Sequence, residues 1–427
     1  GRALLVLLLA GTVSLLGGLI FGYELGIISG ALLQLQADFQ LSCFQQEVLV
    51  SAVLIGALLA SLAGGILIDR HGRRRAILAS NLVLLVGSLI LTLARSLTVL
   101  VTGRVTVGFA ISVSSMACCI YVSEMVAARQ RGLLVSLYEA GITVGILLSY
   151  ALNYVFADVD EGWRYMFGLA IAPAAMQFLS ILFLPVNPVK LSSWDSDCQK
   201  GLIPLQDTEG RAAAKQEPYQ EKHYSFLDLF RTRDNMRRRT LVGLGLVLFQ
   251  QFTGQPNAGP GFAATTSLME VFAGTQSKGV VPNPPLTQKR DLAGQSRKGA
   301  LESTSPPLSA APWAQHTVLN WITLLSMMAF VSAFSIGFGP MTWLVLSEIY
   351  PAGIRGRAFA FCNSFNWAAN LLISLSFLDL IDAIGFSWMF LLYGLMGVMA
   401  VVFIYLFVPE TKGQSLEEIE QQLSRKR

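Results

Sequence analysis

Two carboxylates and two guanidiniums stand out first. Tyr121–Gly132 reads YVSEMVAARQRG and Ser347–Gly356 reads SEIYPAGIRG. Each stretch holds Ser-Glu, six further residues and Arg-Gly, so Glu124 is spaced from Arg131 as Glu348 is from Arg355. Opposite charges at matching offsets, each at the end of an apolar run, describe two related halves whose charged edges can pair and separate. A protein that opens alternately to the two sides of a membrane needs such an edge. Two independent positive anchors beside membrane spans would explain the arginines but not the matched glutamates.

Other polar groups sit inside apolar stretches. Glu24 (in FGYE) and Arg104 (in TGR) are ionisable residues within candidate spans, where a charge faces a cavity or a partner. Packed side by side they neutralise each other, either as a structural ion pair or as a proton-coupling pair. Gln250 and Gln251, in LFQQFTG, add two amides. An amide offers a donor and an acceptor together, which suits a neutral polyhydroxylated ligand, although amides also join helices. Asn366 and Asn370 share one helix face, and Trp343, Trp367 and Phe365 could stack on a sugar ring or sit in an interfacial belt. Gly337, Gly339 and Pro340 break a helix just ahead of Trp343. Catalysis has no such support. His71, His223 and His316 lie in polar loops, no nucleophile–base or metal spacing occurs, and neither catalytic residues, a metal nor a cofactor is expected.

The elements that position these residues are membrane spans. Hydrophobic residues make up 53% and charged residues 14% of the chain, with a mean hydropathy of +0.55. That composition belongs to a polytopic membrane protein. No Lys/Arg tract with interleaved aromatics is present, so nucleic acid is not an expected partner. Cys118, Cys119 and Cys362 lie in apolar runs while Cys43 and Cys198 are isolated, which excludes a disulfide framework. Runs long enough to span lie at 4–31, 46–68, 76–94, 98–122, 133–156, 165–185, 240–257, 317–345, 359–381 and 386–408. The first reads as a retained span rather than a signal peptide. Lys and Arg gather at 69–75, 129–131, 186–239 and beyond Pro409, which puts both termini and 186–239 in the cytoplasm. Within that segment Tyr224–Arg239 has the spacing of a short amphipathic helix. Residues 258–316 contain no span, are rich in Pro, Gly and Ser, and are expected to be a disordered extracytoplasmic segment.

The motifs DRHGRRR (69–75), YVSEMVAARQRG (121–132), QQFTG (250–254), GPMTW (339–343), SEIYPAGIRGRA (347–358), FNWAAN (365–370) and PETKGQS (409–415) together resemble the sugar-porter branch of the major facilitator superfamily, most closely the facilitative glucose transporters. The resemblance implies an all-α fold of two six-helix bundles with a sugar bound between them. It implies sugar contacts from Gln250, Gln251, Trp343 and Asn370, and cytoplasmic gate charges at Arg73, Arg74, Glu124, Arg131, Glu348, Arg355 and Glu410. The chain departs from that pattern with Tyr150 for a fifth-span glutamine, Ser335 for a glutamate before the GP motif, and FLPVNP (183–188) for an acidic motif. The largest departure is 258–316, which stands where the family has the end of the seventh span, the eighth span, a second GRR loop and the ninth span.

These readings lead to an integral membrane protein of the plasma membrane or an endomembrane with about ten spans. Residues 1–185 are expected to form a six-span bundle, 240–257 and 317–408 four further spans, and 409–427 a cytoplasmic tail. Its partners are a small-molecule sugar and the lipid bilayer; neither the identity of the sugar nor the oligomeric state is legible. The expected function is facilitated diffusion of a hexose or related sugar by alternating access, impaired by the missing spans. The alternatives are a proton-coupled sugar symporter, or a non-transporting isoform or incomplete gene model.

Overall fold

The computed structural model describes residues 2–126, 128–184, 224–231, 233–253 and 332–424, with Leu325, Ser326 and Ala329. All regular elements among these residues are helices. The first half supplies α1 (Arg2–Gly26), α2 (Ile28–Phe39), α3 (Cys43–His71), α4 (Arg73–Thr92), α5 (Leu97–Met125), α6 (Ala128–Val155), α7 (Gly162–Gly168) and α8 (Ile171–Leu182). The kinked pairs α1–α2 and α7–α8 each form one span, so six helical segments here are long and apolar enough to cross a membrane. The first runs on to Phe39 rather than ending near 31. Leu35 is buried in that extension, and Gln34 donates to the carbonyls of Phe156 and Ala157, so its polar face is held as well. Local chemistry sets the starts: Ser42 and Gln45 form a capping box before α3, and Ser96 caps α5.

The second half supplies α9 (Met236–Phe252), α10 (Phe338–Ile349), α11 (Arg355–Phe407) and α12 (Leu416–Ser424). The expected amphipathic helix before α9 is instead a 3-10 turn, Phe226–Phe230. Leu229 is fully buried and the rings of Phe226 and Phe230 pack on Phe361, so this turn is anchored on protein. Helical backbone runs from Arg355 to Phe407, across the boundary of the expected spans 359–381 and 386–408, yet Cys362 lies against Gly243 and Phe403 against Gly245. A straight helix would separate those two residues by about 60 Å. The chain therefore reverses direction between Cys362 and Phe403, as two spans joined by a tight turn require. The break expected before Trp343 lies at Gly337, after which α10 starts with Pro340 in its first turn, where a missing N–H is tolerated. The 258–316 segment and all of 186–223 lie outside the described residues.

Glycines let the spans approach. A Cβ on Gly18 would fall 1.8 Å from the Tyr138 carbonyl oxygen, and one on Gly145 would fall 2.1 Å from that of Leu19. Thus α1 and α6 cross backbone to backbone, the small-residue packing that membrane helices use in place of a hydrophobic drive. Between the halves, α3 lies on α11 and α6 on α10. The outer surface is apolar: Leu62, Leu147 and Leu406 are all more than half exposed, as befits helices facing lipid.

Candidate gate and substrate site

The twin motifs end up on facing edges of the two halves. Glu124, in the last turn of α5, lies 2.8 Å from Arg355 at the start of α11. Arg131, in the first turns of α6, lies 3.5 Å from Glu348 in the last turn of α10. Each motif thus pairs with its twin, glutamate to arginine in both directions. Glu124 also holds Arg73 of its own half at 3.2 Å. Arg131 reaches further to the Gln414 carbonyl at 3.3 Å, which ties in the segment leading to α12.

A third contact was not singled out from the sequence. Asp69, at the end of α3, accepts the backbone N–H groups of Gly356 and Arg357 at 3.0 Å each, and Arg357 Nε at 3.2 Å. It caps the N-terminus of α11 from the opposite half, where a carboxylate is favoured by the helix dipole. A Cβ on Gly356 would sit 2.2 Å from Asp69 Oδ1, so the glycine of the second Arg-Gly is sterically required. Deeper in, Asn363 donates to Ser61 Oγ at 2.8 Å and Ser112 Oγ at 3.3 Å, again across the halves. Two expected gate residues lie elsewhere. Arg74 donates to the carbonyls of Ile181 and Leu182 and closes the end of α8. Glu410 is exposed and accepts only the N–H of Lys412 among the described residues. Arg74 is thus tied to a distant helix end and Glu410 to its near neighbour, contacts that a charge pattern does not reveal.

The four expected substrate residues occupy three helices; Gln250, Gln251 and Asn370 are buried and Trp343 is half-buried. Gln250 donates to the Gly339 carbonyl at 3.1 Å, and Gln251 donates to Asn366 Oδ1. Asn370 accepts from Ser374, and the Trp343 ring stacks on Phe359 at 5.8 Å. Trp343 borders a small cavity of about 20 Å³ between the halves, together with Tyr138, Glu139, Ser115 and Cys119. Gln250, Gln251 and Asn370 are not in its wall; their amides are turned instead to the Gly339 carbonyl, Asn366 and Ser374. Glu24 and Arg104 are both buried, with Arg104 Nη1 3.5 Å from Glu24 Oε2 and 3.1 Å from the Glu24 carbonyl. Phe167 faces the guanidinium at 6.0 Å.

Two helical bundles that meet along a reciprocal charged edge, with buried amides behind it, define a membrane transporter of the major facilitator fold. The fold matches a solved major facilitator superfamily proton:xylose symporter bound to 6-bromo-6-deoxy-D-glucose, with a TM-score of 0.69 and 26% identity over 98% of this chain and 99% of that one. The chain belongs to the Sugar (and other) transporter family, whose profile matches residues 10–270 and 306–423. It is 52% identical to the solute carrier family 2 facilitated glucose transporter member 10 of Xenopus tropicalis, covering 99% of this chain and 93% of the relative. Identity to the human protein of the same designation is also 52%, over 99% and 94%. Each alignment runs over 519 positions, more than this 427-residue chain can fill, so the relatives contain internal stretches that it lacks.

Proposed function

We propose that this protein moves a hexose or related sugar across a membrane by facilitated diffusion, rocking its two halves about the charged edge. The observation that carries the reading is the crosswise pairing of Glu124 with Arg355 and of Arg131 with Glu348. Pairs that span the halves can hold one side shut and must break for that side to open. By its Lys and Arg, this edge faces the cytoplasm. Arg73 and Asp69 belong to the same gate, whereas Arg74 and Glu410 support it only indirectly. Gln250, Gln251, Trp343 and Asn370 serve as the sugar contacts, with Gln250 and Gln251 exchanging their present partners for sugar hydroxyls.

Transport by this chain is expected to be weak. The family's eighth and ninth spans, one of them a cavity wall, have no apolar counterpart in 258–316. Purified protein in liposomes tests both statements: binding of D-glucose over L-glucose supports the sugar reading, and its absence overturns it. Robust saturable uptake would refute the impairment. A second reading, proton-coupled symport, is favoured by the buried Glu24–Arg104 pair. Uptake driven by an imposed pH gradient separates it from uniport.

A further inference from the structure

The charged edge is the outer layer of a longer seam between the halves. Along α3, Asp69, Gly65 and Ser61 recur at four-residue steps and share one face; along α11, Gly356, Ala360 and Asn363 recur at steps of four and three. They meet in order. Asp69 accepts the Gly356 N–H at 3.0 Å. A Cβ on Gly65 would lie 2.6 Å from Ala360 Cβ, so the backbones close up in the middle of the seam. The third layer is polar again. Asn363 Nδ2 donates to Ser61 Oγ at 2.8 Å and to Ser112 Oγ of α5 at 3.3 Å, and the two hydroxyls lie 3.2 Å apart. Ser61 donates its own proton to the Ala57 carbonyl at 2.9 Å, so toward Asn363 it only accepts. All three residues are buried, Asn363 at 4% exposure, Ser61 at 1% and Ser112 at 0%. Their neighbours Ala57, Ala60, Ile111 and Val113 belong to the apolar core. Eight residues of helix place this node about 12 Å deeper than Asp69.

We propose that Asn363, Ser61 and Ser112 form an uncharged lock between the halves, which becomes a subsite for the departing sugar when the cytoplasmic side opens. Closed, the node fixes the register of the seam. Sliding α11 by one turn along α3 would carry the amide away from both hydroxyls and strand it in an apolar core, where an unmet donor costs more than its bond contributes. No charge takes part, so the node holds the halves under conditions that screen the edge. Opened, its members lose their partners together. They then offer an amide and two hydroxyls to a neutral polyhydroxylated ligand. Asn363 shares a helix face with Asn370 and lies between it and Arg355. A sugar leaving Asn370 for the cytoplasm passes Asn363 before it reaches the charged edge. The subsite rests on the sugar-transport reading, while the lock rests on the geometry of the closed halves.

The lock is tested through Cys119, which lines the small cavity between the halves and whose thiol contacts the Trp343 carbonyl at 3.5 Å. Maleimide labelling of that thiol is followed by mass spectrometry on the full chain in lipid nanodiscs. Asn363→Leu should raise the rate about tenfold, the equivalent of about 1.4 kcal/mol for the lost buried hydrogen bonds. Ser61→Ala should raise it less, because Asn363 keeps Ser112. The double variant should label no faster than Asn363→Leu, since the shared contact is lost only once. Ser61→Thr retains the hydroxyl, and Ser61 borders a cavity of about 580 Å³ that takes the added methyl, so it should label near the native rate. The tenfold difference should persist in about 1 M salt, where charges are screened within about 3 Å. Native rates in both single variants, effects that multiply, failure of Ser61→Thr to restore the rate, or a difference that salt abolishes each overturn the lock. If Asn363→Leu does not fold, Asn363→Ala takes its place with the same expected outcomes. The subsite is read from the thiol introduced by Ser61→Cys. D-glucose at about twice its dissociation constant should slow labelling there about threefold, and L-glucose should not. If D-glucose binds the protein but leaves that rate unchanged, the subsite is overturned and the sugar reading stands. If D-glucose does not bind, the sugar reading falls and the subsite with it, while coupled variants still support the lock.

Discussion

Removing the Glu124–Arg355 pair should unlock the charged edge by a measurable amount. Glu124 is 15% and Arg355 4% exposed, and their atoms are 2.8 Å apart. An exposed pair would contribute about 0–1 kcal/mol, and stranding one partner of an enclosed pair costs about 3–5 kcal/mol. A partly covered pair falls between, at about 2 kcal/mol, or about 30-fold in the ratio of closed to open edge. Cys119 lines the cavity between the halves, so Arg355→Gln should raise its labelling by a maleimide about 30-fold when opening and closing outpace modification. Glu124→Gln should do more, because it also strands Arg73 at 3.2 Å. The double variant Glu124→Gln with Arg355→Gln should label no faster than Glu124→Gln alone, since the shared contact is lost only once. Labelling at the native rate in both single variants, or rates that multiply in the double, would refute the reciprocal gate.

Three further outcomes follow from the packing. Gly356→Ala pushes a Cβ to 2.2 Å from Asp69 Oδ1 and dislodges the cap on α11, so Cys119 labelling should rise at least fivefold, the equivalent of a lost cap of about 1 kcal/mol; an unchanged rate contradicts it. Arg104→Ala leaves Glu24 buried without its cation, a loss of about 3 kcal/mol or more, and should sharply lower the yield of monodisperse protein in detergent, while Glu24→Gln is milder. Equal yields from both would mean the pair carries no such strain. Gly18→Val cannot be accommodated against the Tyr138 carbonyl and should abolish the monodisperse peak, whereas retention of native size and melting temperature would show that α1 and α6 do not cross as described.

Much of the frame was legible in the chain itself. Apolar run length marks a span wherever lipid is the solvent, because the backbone must satisfy its own hydrogen bonds over a set thickness. The six spans of the first half, the break before Trp343 and the charged motifs beside the spans all follow from such local rules. The burial of Glu24 against Arg104 follows from the cost of an unpaired charge. Repeated spacing identified Glu124, Arg131, Glu348 and Arg355 as a set.

What spacing could not show was who pairs with whom. Glu124 and Arg131 are close in sequence, yet one closes α5 and the other opens α6, and each finds its partner on the opposite half. That exchange depends on how the two halves dock, which no local pattern encodes. The role of Asp69 was hidden for the same reason. Its carboxylate accepts from the backbone of the other half at Gly356, where the meaningful feature of the partner is a missing side chain. Arg74 and Glu410 carry the right charge, but Arg74 is held by the carbonyls at the end of α8 and Glu410 by the N–H of Lys412. The reversal within Arg355–Phe407, by contrast, was legible as two apolar runs, 359–381 and 386–408, and Cys362 and Phe403 meet the same helix. Residue types and their periods determined the spans and the charges available to a gate, because those depend on solvent and on neighbours along the chain. The gate's wiring was decided by the tertiary structure, because ion pairs and helix caps act over a few ångströms and only docking of the halves brings these groups that close.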